Sequence, residues 1–194
     1  MKSGARALGV AESFSGSDRS VLCGAVLRRD RTADGFAFGA CTVGGTDATD
    51  AIADLWTSLD RADVRVLLLS GIAPAWFNIV DLSSLHERID RPVVSVSFEA
   101  SPGLEPALRE QFSGDALDRR LRTYRAQPAR RRVDVNDEDV FVRSVGVDDV
   151  AAAETVRAFT PEGGRPDPLR VARLAARAAR RFVNEDAGLA DEDT

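Results

Sequence analysis

The apolar positions of the chain fall into short runs separated by turn-forming residues, with strand spacing first and helical spacing later. ARALGVAE, residues 5–12, is an apolar strand ending at Glu12, and it gives way to the polar loop SFSGSDRS. SVLCGAVLRR (20–29) and GFAFGACTV (35–43) follow as two strands joined by the turn DRTAD, an antiparallel meander. GGTDATDAIADLWTSLDRA then opens a helix: Ile52, Leu55, Trp56 and Leu59 recur at its period, and Thr46 or Asp47 stands where a cap accepts a backbone N–H. VRVLLLS shows no polar alternation from Val66 to Leu69, the mark of a strand covered on both faces. The loop SGIAPAWFN leads to a short helix, DLSSLHERI, the strand RPVVSVSF and a helix over 102–112. An edge hairpin at 133–147 and a helix over 148–159 come next. After a Gly- and Pro-rich connector (160–166), the last helix has Asp167 as cap and Pro168 in its first turn. Leu169, Ala172, Leu174, Ala175, Ala178, Ala179 and Phe182 form its apolar side.

Right-handed crossovers between the later strands then close a mixed α/β sheet in the order 3-2-1-4-5 with flanking helices, an RNase H-like layout. The two central strands end at Glu12 and Ser70, and crevices outside strand ends are the usual ligand sites of open sheets. The length of 194 residues supports one core. The reading is a single domain over 1–184 followed by a disordered acidic tail, 185–194.

Composition changes little: 44% of residues are apolar, 29% charged, and the net charge is -5. The cations are 25 arginines and the single Lys2, a bias that suits carboxylate and phosphate recognition but also follows from a GC-rich genome. No apolar run is long enough to span a membrane and no secretory segment opens the chain, so a cytoplasmic protein without membrane contact is expected. Cys23 and Cys41 are expected as buried free thiols, although a hairpin centred near Thr32 would set them opposite each other. GxGxxG after a strand, GxxxxGK[ST] and GxSxG are all absent.

Five stretches in one order, LGVAESF, GGTDAT, SGIAPAWFNIVDL, RPVVSV and PDPLRVARLAARA, resemble the mainly archaeal domain-of-unknown-function family ninety-nine, whose members are similar to endonuclease V in fold. The resemblance covers residues 6–183. It implies Mg²⁺ or Mn²⁺ held by carboxylates at strand ends for phosphodiester hydrolysis. It also implies an Asp-Asp pair where this chain has Ala11-Glu12, and Asp-Gly-Ile where it has Ser70-Gly71-Ile72. A methyl and a hydroxyl thus replace two ligand carboxylates. Glu12 and Asp47 remain as catalytic and metal candidates, with Asp50 and Asp81 as further ligands, and Ala11, Ser70, Gly71, Trp76, Phe77 and Asn78 would wall the cleft.

Each of these residues also has a structural reading. Glu12 ends a strand, Asp47 and Asp81 are placed to cap helices, Asp50 suits a helix N-terminus, and Asn78 can satisfy buried backbone. Trp76 and Phe77 either plug the sheet edge or offer a stacking platform. Arg119, Arg120, Arg122, Arg125, Arg130, Arg131 and Arg132, interrupted by Tyr124, match a DNA or RNA contact pattern, or pair with the acids that follow. The leading expectation is a nucleic-acid-associated endonuclease V-like protein with metal-dependent catalysis degraded or lost. An active Mg²⁺- or Mn²⁺-dependent endonuclease and a non-enzymatic assembly module are the alternatives, and self-association is left open.

Overall fold

A computed structural model of the chain describes residues 4–191, with side chains through Asn184. Its strands are β1 (Arg6–Ser13), β2 (Arg19–Arg28), β3 (Ala33–Thr42), β4 (Val64–Ser70), β5 (Val93–Ser97), β6 (Arg131–Val135) and β7 (Glu138–Val145). They form one sheet in the order β3-β2-β1-β4-β5-β7-β6. The RNase H-like order expected from the sequence is present, and the β6–β7 hairpin extends it past β5. β1 runs antiparallel to β2 and parallel to β4, and β4 runs parallel to β5.

The helices are α1 (Ala48–Leu59), α2 (Pro74–Phe77), α3 (Leu82–Ile89), α4 (Glu105–Gln111), α5 (Gly114–Arg125), α6 (Asp149–Ala158) and α7 (Asp167–Asp191). β4 explains the layering. Leu67 and Leu69 pack under Ile52 and Leu55 of α1 and Leu82 and Leu85 of α3. Val66 and Leu68 face the other way, into a core with Val156, Phe159 and Leu169. A strand apolar at successive positions needs two covered faces, and truncating either layer at a buried leucine costs about 2–5 kcal/mol. Among the described residues, no helix is long and apolar enough to cross a membrane.

α7 lies along β1 and β2, burying Leu169, Ala172 and Ala176. The approach is so close that a Cβ on Gly9 would sit 2.3 Å from the carbonyl carbon of Pro168. Leu174 and Phe182, expected on the apolar side, are exposed instead. At 100° per residue Leu174 lies about 200° from Ala172, on the far side of the helix. Asp167 is also not the cap: it is the first helical residue, and its carboxylate accepts from Arg170. α7 continues to Asp191, into the segment expected to be disordered. The tail residues 192–194 lie outside the described residues.

Cys23 and Cys41 are buried and free. They do not oppose each other, because the register pairs Cys23 with Phe38 and Cys41 with Ser20. Separated by an odd number of rungs, they point to opposite faces.

Candidate functional site

The β1–β4 register ends with Val10 beside Leu69, so the next step sets Ala11 beside Ser70. Both line a cleft of about 750 Å³ with Glu12 and Ser13, and its opposite wall is the outer side of α7: Arg173, Leu174, Arg177, Arg180 and Arg181. Ala11 faces α7 and packs with Ala172. Its neighbour Glu12 follows the alternation to the α1 side, where Oε2 accepts a hydrogen bond from Ser20 Oγ at 2.6 Å. Arg180 donates to Ser13 Oγ at 3.0 Å. No ion pair among the described residues neutralises Arg173, Arg177 or Arg181.

The acidic candidates do not converge on this cleft. Asp47 occupies the N-cap position of α1, yet its side chain makes no cap. Its oxygens accept instead from the Thr42 N–H (3.0 Å), the Thr42 hydroxyl (2.8 Å) and Asn78 Nδ2 (2.6 Å). Burial pushes its carboxyl upward, but these hydrogen bonds outweigh burial and hold it below the usual value. Asp50 pairs with Arg88 on the surface, and Asp81 caps α3 by accepting from the Ser83 and Ser84 N–H groups. Asp47 and Glu12 do lie on the same side of the sheet. Burial first, then the charges of Asp47 and Glu12, push the Cys41 thiol up to about 12.

No group of three or more His, Cys, Asp or Glu side chains able to hold a metal ion occurs among the described residues. Mg²⁺ and Mn²⁺ want several oxygen ligands at short range. Here Ala11 and Ser70 offer only a methyl and a hydroxyl to the arginine wall, while the carboxylates of Glu12 and Asp47 lie on the α1 side of the sheet and are already engaged in hydrogen bonds. The residues present do not fit the ion.

The loop after β4 is built under strain. Gly71 has φ +80°, and Ala75, Trp76 and Phe77 then take φ values of +47°, +59° and +59°, so α2 is a single left-handed turn. Each such non-glycine residue costs roughly 1–2 kcal/mol. The turn is held from three sides. The Gly44 N–H donates to Ala75 O at 2.7 Å, Arg120 Nε donates to Phe77 O at 3.2 Å, and buried Asn78 bonds to Thr42 O, Asp47 and the Ala48 N–H. Phe77 packs inward against Phe112, whereas Trp76 projects outward, 51% exposed.

The basic run is dispersed by the fold. Arg120 is only 5% exposed. It stacks on Phe112 and donates to the carbonyls of Gly44, Gly45, Phe77 and Ala116, so this member is an internal clamp and not an open contact. Arg125 pairs with Glu105, Arg131 with Asp149 and Arg132 with Asp139. The Tyr124 hydroxyl accepts from the Leu104 N–H. Arg119 and Arg122 face outward along α5.

Arg130 joins a second cavity, of about 430 Å³, that meets the first at Ser70 and Arg173. Arg143, Arg165, Phe98 and Tyr124 also line it. Sequence reading missed Arg143, Arg165 and Phe98 as site residues. Arg165 lies in a connector with no periodic signal, although an arginine between Gly and Pro is itself a cue for a fixed loop.

Residues 3–180 match the family described as endonuclease dU. A UPF0215 protein of Pyrobaculum aerophilum is 34% identical over 91% of this chain and 95% of its own length. In fold the chain is similar to a protein of unknown function from Archaeoglobus fulgidus, with a TM-score of 0.80, 24% identity and coverage of 90% and 98% of the two chains. It is also similar to Ciona intestinalis endonuclease V in complex with inosine-containing DNA, with a TM-score of 0.60, 14% identity and coverage of 92% and 87%. The match across nearly the whole chain, together with the shared strand order and the cleft at the ends of β1 and β4, places this protein in the endonuclease dU family, with an endonuclease V-like fold.

Proposed function

We propose that the chain binds nucleic acid along the cleft at the ends of β1 and β4, with the metal-dependent cleavage implied by its fold degraded or lost. The observation that carries this reading is the pairing of Ala11 and Ser70, where carboxylates are expected, opposite Arg173, Arg177, Arg180 and Arg181. Such a cleft is attractive to phosphates and unattractive to a divalent cation. Arginines that neutralise phosphates release counterions, so binding of this kind weakens steeply with salt. The DNA bound to the Ciona intestinalis protein supports the ligand class, and the family's description makes deoxyuridine-containing DNA the first strand to test. Arg119 and Arg122 would extend the contact along α5.

The experiment is fluorescence anisotropy and gel cleavage with deoxyuridine-containing, inosine-containing and ordinary single- and double-stranded DNA and RNA. It is run across a salt series with Mg²⁺, Mn²⁺ or EDTA. Salt-sensitive binding without cleavage is expected, and Arg173→Gln with Arg177→Gln should reduce the salt slope by about 2. The family description favours a second reading, an endonuclease using Glu12 and Asp47. Metal-dependent cleavage abolished by Glu12→Gln and by Asp47→Asn would replace the first reading with the second.

A further inference from the structure

Arg165 stands apart from the other cleft arginines. It sits in the connector between α6 and α7, and its guanidinium lies 3.6 Å above the ring of Phe98, just past the end of β5. Nη1 is buried and has no hydrogen-bond partner among the described residues. Burial, and then the charges of Arg173 and Arg177, push its pKa downward. Acids do occur on the outer flank, where Glu138, Glu162 and Asp167 line the adjoining surface. Asp167 is held by Arg170, and neither glutamate forms an ion pair with Arg165 among the described residues.

Arg165 is half-buried, but buried donors are almost always satisfied, so its Nη1 calls for an acceptor from outside the chain. A planar guanidinium held flat on an aromatic ring keeps its in-plane donors aimed outward in the fork geometry that suits an oxyanion. Arg173 lies on the walls of both the strand-end cleft and the cavity beyond Ser70, so an anion at Arg165 would meet a second cation there.

We propose that Arg165, seated on Phe98 and flanked by Arg173 and Arg177, is a binding site for the phosphate group of a nucleotide, on the α7 side of the cleft beside Ser70. The nucleotide identity rests on the nucleic-acid reading above, whereas the oxyanion chemistry rests on the site alone. The phosphate is either a diester within a strand or a terminal monoester.

The test uses the full chain. Inorganic phosphate is titrated at millimolar concentration against chloride of equal ionic strength, with thermal unfolding and arginine Nε–H NMR signals as readouts. Phosphate should raise the melting temperature relative to chloride and shift the Arg165 signal. Arg165→Gln should weaken the apparent affinity at least tenfold, as should Arg173→Gln, a surface change that serves if the first variant folds poorly. Arg31→Gln in the exposed turn between β2 and β3, on the wall of neither cavity, should leave it unchanged. Phosphate that stabilises no more than chloride, or an Arg165→Gln protein with undiminished phosphate affinity, overturns the site. Competition by short single-stranded DNA with and without a 5′-phosphate separates the sources: preference for the phosphorylated strand assigns a terminal monoester, and equal competition assigns a diester. Phosphate binding lost in Arg165→Gln but competed by no strand keeps the oxyanion site and removes the nucleic-acid reading. Strand binding indifferent to phosphate and to Arg165→Gln does the reverse.

Discussion

Asn78 donates from Nδ2 to Asp47 Oδ1 at 2.6 Å, and its own Oδ1 accepts the Ala48 N–H at 2.9 Å. One fully buried amide thereby caps α1 in place of Asp47 and ties the β3–α1 loop to the strained turn after β4. Asn78→Ala leaves the Ala48 N–H and one Asp47 oxygen without this partner inside the protein. A loss of about 2–4 kcal/mol is expected in urea unfolding, with the slope unchanged. A loss below about 0.5 kcal/mol would show that water takes over these bonds.

The same bond has a consequence in acid. Asp47 is held below its usual pKa, and hydrogen bonds from Arg61 hold Asp63 lower still, at about 2. A carboxyl depressed in the folded state binds fewer protons than in the unfolded chain, where it titrates near 3.9. Stability from both groups is therefore full above about pH 5 and is lost as pH falls through the folded values. Melting temperature should be flat from pH 7 to about 5 and then decline towards pH 2. Asn78→Ala removes one cause of the Asp47 depression, so its decline should be shallower than that of the parent. Parallel declines would mean the Asn78 bond has no part in the titration.

Arg120 and its neighbours should separate cleanly. Arg120→Ala strips hydrogen bonds from carbonyls of two loops at once, and removing a buried charged donor costs about 3 kcal/mol. Arg119→Ala and Arg122→Ala should change stability by no more than about 0.5 kcal/mol. Thermal unfolding of the three variants checks this, and equal losses would contradict the clamp.

The sheet was legible because its signal is local. Val66 to Leu69 is apolar at every position, which only a doubly covered central strand uses. Asp81 was readable as a cap for the same reason, since Ser83 and Ser84 follow it directly. Asp47 was not, because the partner that displaces it from the cap lies 31 residues away, at Asn78. Arg120 was hidden inside seven arginines: composition marks the run as basic but does not say which member the α5 face turns inward. The outward position of Leu174 is hidden because α7 is mixed apolar and basic around much of its circumference, and its rotation is set by packing distant in sequence, with Leu169, Ala172 and Ala176 buried and Pro168 against Gly9.

The two thiols should be silent in the folded protein. Burial raises Cys23 to about 12, and burial with the Asp47 and Glu12 charges does the same for Cys41. Thiolate is the reactive form, so less than about a thousandth of either is ionised at pH 8. Reaction with a disulfide reagent at that pH should proceed at the rate of unfolding and reach two equivalents only in denaturant. Rapid modification of the native chain would mean that β2 or β3 opens locally.

Gly9→Ala probes the contact that positions the arginine wall. A Cβ at this position would meet the backbone carbon and oxygen of Pro168 at 2.3 and 2.4 Å, and neither is the yielding end of a flexible side chain. Gly9 lies mid-strand between Leu8 and Val10, so β1 cannot move without disturbing its pairing with both β2 and β4. The start of α7 must therefore lift. Overpacking of this kind costs about 1–3 kcal/mol. The lift also swings Arg173 and Arg177 away from Ala11 and Ser70, so oligonucleotide affinity at low salt should fall with stability. Gly4→Ala, where a Cβ meets nothing within 4 Å, is the control and should change neither. A Gly9→Ala protein of parental stability would mean that α7 is not seated as tightly on β1 as this contact requires.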